Sequence, residues 1–135
     1  MTSYLLDTNH ASWLMARQES IVARLRQAQA SGAQFGISIT VLAELYFAVY
    51  ASQRRSENLK RLQSLVEALL LWPFDALAAE EFGRIQAEQK ARGRPIPPLD
   101  AQIAAVARIN DLIILTDDHH LTMVEGIRIE NWRTP

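Results

Sequence analysis

Four carboxylates carry the chemistry open to this chain. Asp7 closes the short apolar run Tyr4-Leu5-Leu6, and Glu44 lies inside the apolar stretch Val41 to Val49. Asp100 follows Pro97-Pro98-Leu99, and Asp118 follows Leu112 to Leu115 through Thr116 and Asp117. Several carboxylates gathered in one pocket repel one another, and their pKa values rise unless a cation neutralises them. The chain has no cysteine, and its three histidines, His10, His119 and His120, cannot by themselves close a zinc site. Oxygen ligands without thiolates select a hard ion, Mg²⁺ or Mn²⁺. Such ions activate water and stabilise charge developing on a phosphoryl group, so a phosphodiester is the expected substrate.

Each acid also has a plainer role. Asp7 at the end of a strand suits a helix N-cap. Asp100 in a helix's first turn is favoured by the helix dipole. Asp117 and Asp118 suit a polar turn. Glu44 is harder to place in this way. Its neighbours Val41, Leu42, Ala43, Leu45, Tyr46, Phe47, Ala48 and Val49 make the helix apolar nearly all round, which predicts burial. A buried Glu needs a partner, and the alternative to a ligand role is a buried salt bridge. With Thr40 as the cap, Glu44 falls one residue too late for a capping box.

The elements that must position these acids read as strands alternating with helices. Residues 3 to 6 form a first strand, and Thr8 or Asn9 caps a short helix carrying Trp13 and Leu14. A helix over 19–30 ends at Gly32. A strand over 35–39 leads into a helix over 41–51 capped by Thr40. After a polar break at 52–55 a helix runs through Leu71, with Leu59, Leu62, Val66 and Leu69 at helical spacing. Residues 71–74 form a brief strand that Pro73 confines to an edge or an end. A helix over 76–91 stops at Gly93, and a proline-rich loop over 94–99 precedes a helix over 99–109. Strands over 112–115 and 127–129 flank a loop over 117–123. This order predicts an α/β fold, a three-layer α/β/α sandwich with a mostly parallel central sheet. Such a doubly wound sheet gathers strand ends and helix starts along one edge, where ligands bind.

The bulk numbers agree with one domain over residues 1–135. The 135 residues are 49% hydrophobic and 21% charged, ordinary for a globular domain with one core. The net charge of −1 gives no global attraction to nucleic acid, so contact with RNA needs a local patch, a metal or a partner chain. Arg84, Lys90, Arg92 and Arg94, and Arg54, Arg55, Lys60 and Arg61, are two basic clusters that would hold phosphates or form solvated helix faces. No run reaches membrane-spanning length and the N-terminus does not read as a signal peptide, so a cytoplasmic protein is the expectation.

The motifs Leu5-Leu6-Asp7-Thr8-Asn9, Ser38-Ile39-Thr40-Val41-Leu42-Ala43-Glu44-Leu45, Pro98-Leu99-Asp100-Ala101-Gln102-Ile103-Ala104-Ala105 and Leu115-Thr116-Asp117-Asp118 resemble those of the PIN-domain family. They look most like those of VapC-type toxins of bacterial toxin–antitoxin pairs. Gly126 to Trp132 looks like the family's last strand. Each motif alone is weak; four in this order are specific, and the resemblance runs nearly end to end. It implies that Asp7, Glu44, Asp100 and Asp118 bind metal, with Asn9 and Thr116 orienting the acids or a water. His120 and Leu121 stand where the family pattern has a second Asp and a Phe, which leaves Asp117 or Asp118 as the last acid. The resemblance further implies an Mg²⁺-dependent endoribonuclease cutting structured RNA such as tRNA or rRNA. A homodimer and an inhibiting antitoxin go with it, as does binding of operator DNA by the antitoxin complex.

Three other classes compete. A phospho-acceptor domain would have paired acids after its first strand and a lysine after a late one, but no lysine follows Lys90. An aspartyl-nucleophile phosphohydrolase would have an acid at position 9, where Asn9 stands. A PIN-like RNA-binding or regulatory module that has lost activity is the remaining alternative.

Overall fold

A computed structural model describes residues 1–133. The strands are β1 (Ser3–Leu6), β2 (Gln34–Ser38), β3 (Leu70–Trp72), β4 (Ile113–Leu115) and β5 (Arg128–Glu130). The helices are α1 (Thr8–Met15), α2 (Glu19–Ala30), α3 (Ile39–Ala51), α4 (Arg55–Ala68), α5 (Ala76–Ala91) and α6 (Pro98–Asn110), with a 3-10 turn at His119–Met123. The sheet order is β3-β2-β1-β4-β5 and every neighbouring pair is parallel. Parallel strands need crossovers, and right-handed crossovers place α1 to α4 on one face and α5 and α6 on the other. The direction of winding reverses between β1 and β4. Their carboxyl ends therefore open the crevice that a doubly wound sheet offers to a ligand.

The core is aliphatic. Leu5, Leu6, Ile37, Ile114 and Leu115 from the strands are fully buried against Leu45, Leu62, Ile85 and the small residues Ala101, Ala104 and Ala105. The run of alanines lets α6 approach the sheet closely, so Asp100, in the helix's first turn, lies near the ends of the central strands. Gly36 serves the sheet in the same way. A Cβ there would lie 2.5 Å from the Leu70 carbonyl oxygen and from Trp72, so only glycine lets β3 pair at this point.

Several boundaries and caps differ from the sequence-based expectations. Asp7, not Thr8 or Asn9, caps α1: its carboxylate accepts the His10 N–H at 2.7 Å. Ser38, not Thr40, caps α3 by accepting the Val41 N–H at 3.3 Å. The Thr40 hydroxyl instead donates to Gln102 Oε1 at 2.8 Å, tying α3 to α6. The helix expected to run through Leu71 ends at Ala68, and Leu70 to Trp72 become the edge strand β3, ahead of Pro73. Parallel pairing with Gly36, Ile37 and Ser38 outweighs the helical spacing of the leucines there. The α3 helix is not covered all round. Val41, Leu45 and Val49 face the core, whereas Phe47 is 77% and Tyr50 52% exposed. A uniformly apolar sequence does not show which face the rest of the fold leaves open.

Candidate active site at the sheet switch point

The turn after β4 begins with Thr116, fully buried, whose hydroxyl accepts the Asp118 N–H at 2.9 Å. This short ring turns the Asp118 side chain back toward the start of α6. Asp118 Oδ1 in turn accepts the His120 N–H at 2.9 Å and lies 2.9 Å from His120 Nδ1. His120 Nδ1 is also 3.7 Å from Asp100 Oδ2. Asp100, Asp118 and His120 each offer one ligand atom, all within 4.8 Å of one another, so together they could hold a metal ion.

The charge balance of this group is unusual. Among the described residues, no Lys or Arg pairs with Asp100, Asp118 or Glu44. Burial, a hydrogen bond to Asp118 and the negative charge of Asp118, with a smaller push from Glu44, raise Asp100 to about 6 against the pull of His120. Burial also acts to raise Asp118. The backbone hydrogen bond from His120, the hydrogen bond from Asp100 and the His120 ring outweigh it and hold Asp118 below the ordinary carboxylate range. The two acids thus act on one another, and Asp100 is the one that takes up a proton more readily. A divalent cation held by both carboxylates would relieve their repulsion; the carboxylate oxygens suit a hard ion, whereas the His120 imidazole suits a transition-metal ion better than Mg²⁺.

Glu44 is half-buried and takes no salt bridge among the described residues; the Thr8 hydroxyl donates to its Oε1 at 2.6 Å. That bond brings the middle of the first turns of α3 next to the residue following Asp7. Asp7 itself is buried, and its N–H bonds to the Leu115 carbonyl at 3.0 Å, one residue before Thr116. The four acids therefore lie at the same end of the sheet, with only Asp100 and Asp118 in the close group and Glu44 outside it. Asp7 is not within the tight group of three; its Oδ1 is committed to His10. Asp117 is exposed and receives only a long contact, 3.4 Å, from Asn9 Nδ2. Asp118 is the acid that turns inward.

His10 and His120 are the two side chains at this site that the sequence reading did not assign. His120 had one signal, its place where the family pattern has an acid. The two basic clusters do not converge on the acids as a set. Arg84 pairs with Glu80, Arg54 and Arg61 pair with Glu57, and Arg92 pairs with Glu125. Lys60 and Arg61 instead line a groove of about 520 Å³ with Leu14, Val22, Leu25 and Arg26.

A sequence model of the PIN domain matches residues 4–126. The chain belongs to the PIN-domain family. It is 32% identical to the tRNA(fMet)-specific endonuclease VapC of Shigella flexneri, over 98% of this chain and 99% of that protein. The structure of DNA-bound VapBC from Salmonella typhimurium superposes with a TM-score of 0.89 at 29% identity, covering 98% of this chain and 99% of that one. VapBC2 from Rickettsia felis, solved bound to a fragment of its promoter DNA, gives 0.89 at 25% identity over 97% and 99%. No helix among the described residues is long and apolar enough to cross a membrane.

Proposed function

We propose that this chain is a divalent-metal-dependent endoribonuclease, the toxin member of a toxin–antitoxin pair, that cuts a structured RNA. The observation that carries the reading is the group of Asp100, Asp118 and His120 within 4.8 Å at the sheet's switch point, unneutralised by any Lys or Arg among the described residues. Asp7, Glu44, Asp100 and Asp118 are the acids assigned to the metal, with His120 beside them; Thr116, Asn9 and Asp117 support the surrounding turns. Bound Mg²⁺ or Mn²⁺ supplies an activated water and neutralises charge on the phosphoryl group. The residues of the chain hold the geometry. Thr116 fixes the turn that aims Asp118, Thr8 orients Glu44, and Thr40 with Gln102 ties α3 to α6 so that Glu44 and Asp100 stay together.

The relatives' names support RNA as substrate, and one of them is named for a transfer RNA. The VapBC structures support an antitoxin as partner and binding of promoter DNA by that complex. Exposed Phe47, Tyr50, Leu70, Leu71 and Leu77 offer apolar surface for a partner chain, either the antitoxin or a second copy in a homodimer. Residues 1–135 are taken as one domain working in the cytoplasm.

The test is RNA cleavage with purified protein, with Mg²⁺ or Mn²⁺ and with EDTA, followed by mapping of transcript ends after induced expression in a bacterial host. Metal-dependent cuts at discrete sites in a structured RNA are the expected result. Binding of RNA without cleavage under any divalent ion would overturn the reading in favour of a module that has lost activity.

A further inference from the structure

His10 is fully buried on the first turn of α1, beside the site but outside the group already described. Both ring nitrogens are engaged. The backbone N–H of Trp132 donates to His10 Nε2 at 3.1 Å, so Nε2 carries no hydrogen. The ring's single N–H must then sit on Nδ1, which lies 3.1 Å from Asp7 Oδ1. With Nε2 serving as an acceptor, this contact is a hydrogen bond from a neutral ring and not an ion pair.

Asp7 Oδ1 consequently accepts two donors, His10 Nδ1–H and the His10 backbone N–H at 2.7 Å. A helix cap needs only the second. The ring donor is additional, and it occupies the remaining lone pair of that oxygen, leaving Oδ2 as the available one. Ligating carboxylates are commonly held in this manner by a partner behind them.

The acceptor side of the ring is equally well anchored. Trp132 packs against Tyr4 and Phe35 at ring separations of 5.1 and 5.5 Å. Arg24 lies over the Trp132 ring at 4.8 Å, and the indole N–H donates to Glu130 Oε1 at 2.9 Å. Arg133 lies over Trp13 at 4.7 Å, and Trp13 packs on His10 itself. The segment after β5 is thus strapped across α1, and its backbone N–H selects the tautomer of His10.

We propose that His10 is a positioning residue for Asp7: the strap at Asn131 to Arg133 fixes its Nδ1–H tautomer, and that N–H presents Asp7 Oδ2 to a divalent cation. This rests on the reading of Asp7 as a metal ligand given above. It gives Asn131 to Arg133 a role in metal affinity, although among the described residues none of their side chains bonds to Asp7, Glu44, Asp100 or Asp118.

Two substitutions separate the two ring nitrogens. His10→Asn places an amide donor where Nδ1 stands and loses the acceptor for Trp132. His10→Gln places an amide oxygen where Nε2 stands, keeps that acceptor and loses the donor to Asp7. Mn²⁺ affinity is measured by calorimetry and the melting temperature without metal is measured in parallel. Long-range ¹⁵N NMR of the unaltered protein reads the tautomer. The expected result is a protonated Nδ1 and a bare Nε2, with His10→Gln weakening Mn²⁺ binding by roughly tenfold or more, as for other partners behind metal ligands, while His10→Asn stays close to the unaltered protein. A proton on Nε2 would overturn the proposal. So would equal affinities in both variants, or affinity losses that simply follow the losses in melting temperature. If the unaltered protein binds neither Mn²⁺ nor Mg²⁺, the metal reading itself falls and this assignment with it. Binding that His10→Gln leaves intact removes His10 alone.

Discussion

The two ends of α6 hold acids in opposite circumstances. Near its C-terminus, Arg108 reaches back to α5 and donates to Glu81 at 2.9 Å and to Glu88 at 3.1 and 3.2 Å, with a further bond to the Glu125 carbonyl. Burial alone would lower the Arg108 pKa, but Glu88 and Glu81 outweigh it and raise it. At the N-terminus, Asp100 has Asp118 and Glu44 for neighbours and only the His120 ring as a counterweight. Both placements suit the helix dipole, which favours an acid at the start and a base at the end. The first cluster is closed: each carboxylate has a guanidinium. The second is open, with acids leaning on one another across the crevice at the carboxyl ends of β1 and β4. Acids that a fold brings together and leaves without a basic partner are suited to a cation, whereas the Arg108 cluster holds α5 to α6 and is neutralised within the chain.

The contrast can be broken at either end. Asp118→Asn should remove the inward acid with little change in shape, and RNA cleavage should fall by about a hundredfold or more, since even partners behind metal ligands cost ~10–100-fold; far-UV circular dichroism should remain as before. Full cleavage in that variant would mean that the open cluster is not the site. Arg108→Met should leave Glu81 and Glu88 without their cation. Losing one partner of a fully buried pair costs ~3–5 kcal/mol, and the partial exposure here reduces the expected loss to roughly 2–3 kcal/mol in urea unfolding. A neutral result would show that the closed cluster is not what joins the two helices.

Glu44→Gln carries the opposite sign. Removing one charge from the open cluster should hold or raise the melting temperature of the metal-free protein, because its partner is the Thr8 hydroxyl and not a buried cation. A loss of several degrees would count against repulsion at that end of the helix. The pH dependence follows from Asp100, whose pKa is raised from 3.8 to about 6. The folded protein holds that proton more tightly than the unfolded chain, so this contribution to stability is complete below about 4 and lost as pH rises through about 6. Asp118, held low, acts in the reverse sense: its contribution is present above its unfolded pKa and lost as pH falls through its folded pKa. The Asp100→Asn variant should therefore lose the decline in melting temperature between about pH 4 and pH 7, and Mn²⁺ should stabilise the unaltered protein most above about 6. The smallest effect is expected from an exposed pair on α5. Arg84→Ala breaks its contact with Glu80, and the change should stay within about 0.5 kcal/mol with cleavage unaltered.

Much of the frame could be read from local pattern. The spacing of Ile21, Val22, Leu25 and Ala28 marks α2, and Gly32 and Gly93, both at positive φ, end α2 and α5 where a left-handed residue is needed. Strand and helix order implied a parallel sheet, and with right-handed crossovers a parallel sheet must bring its strand ends and helix starts to one edge. That is why Asp7, Glu44, Asp100 and Asp118 can be grouped from the order of elements alone. Local pattern misled where two structures compete for the same residues. Leu70 and Leu71 fall within the expected helix yet pair with β2, and Thr40 looks like a cap but bonds to Gln102.

The amino-acid order alone determined which residues carry charge, where elements begin and end to within a few positions, and which edge of the sheet collects the acids. These follow from side-chain period, from the few residues that tolerate turns, and from the handedness of L-amino acids. Only the packed structure decided that Asp118 turns inward while Asp117 stays in solvent, that Glu44 meets Thr8, that His120 joins the acids, and that His10 reads a backbone N–H 122 residues away. A hydrogen bond is set by angles and tenths of an ångström between groups that packing brings together, and such geometry leaves no periodic trace along the chain.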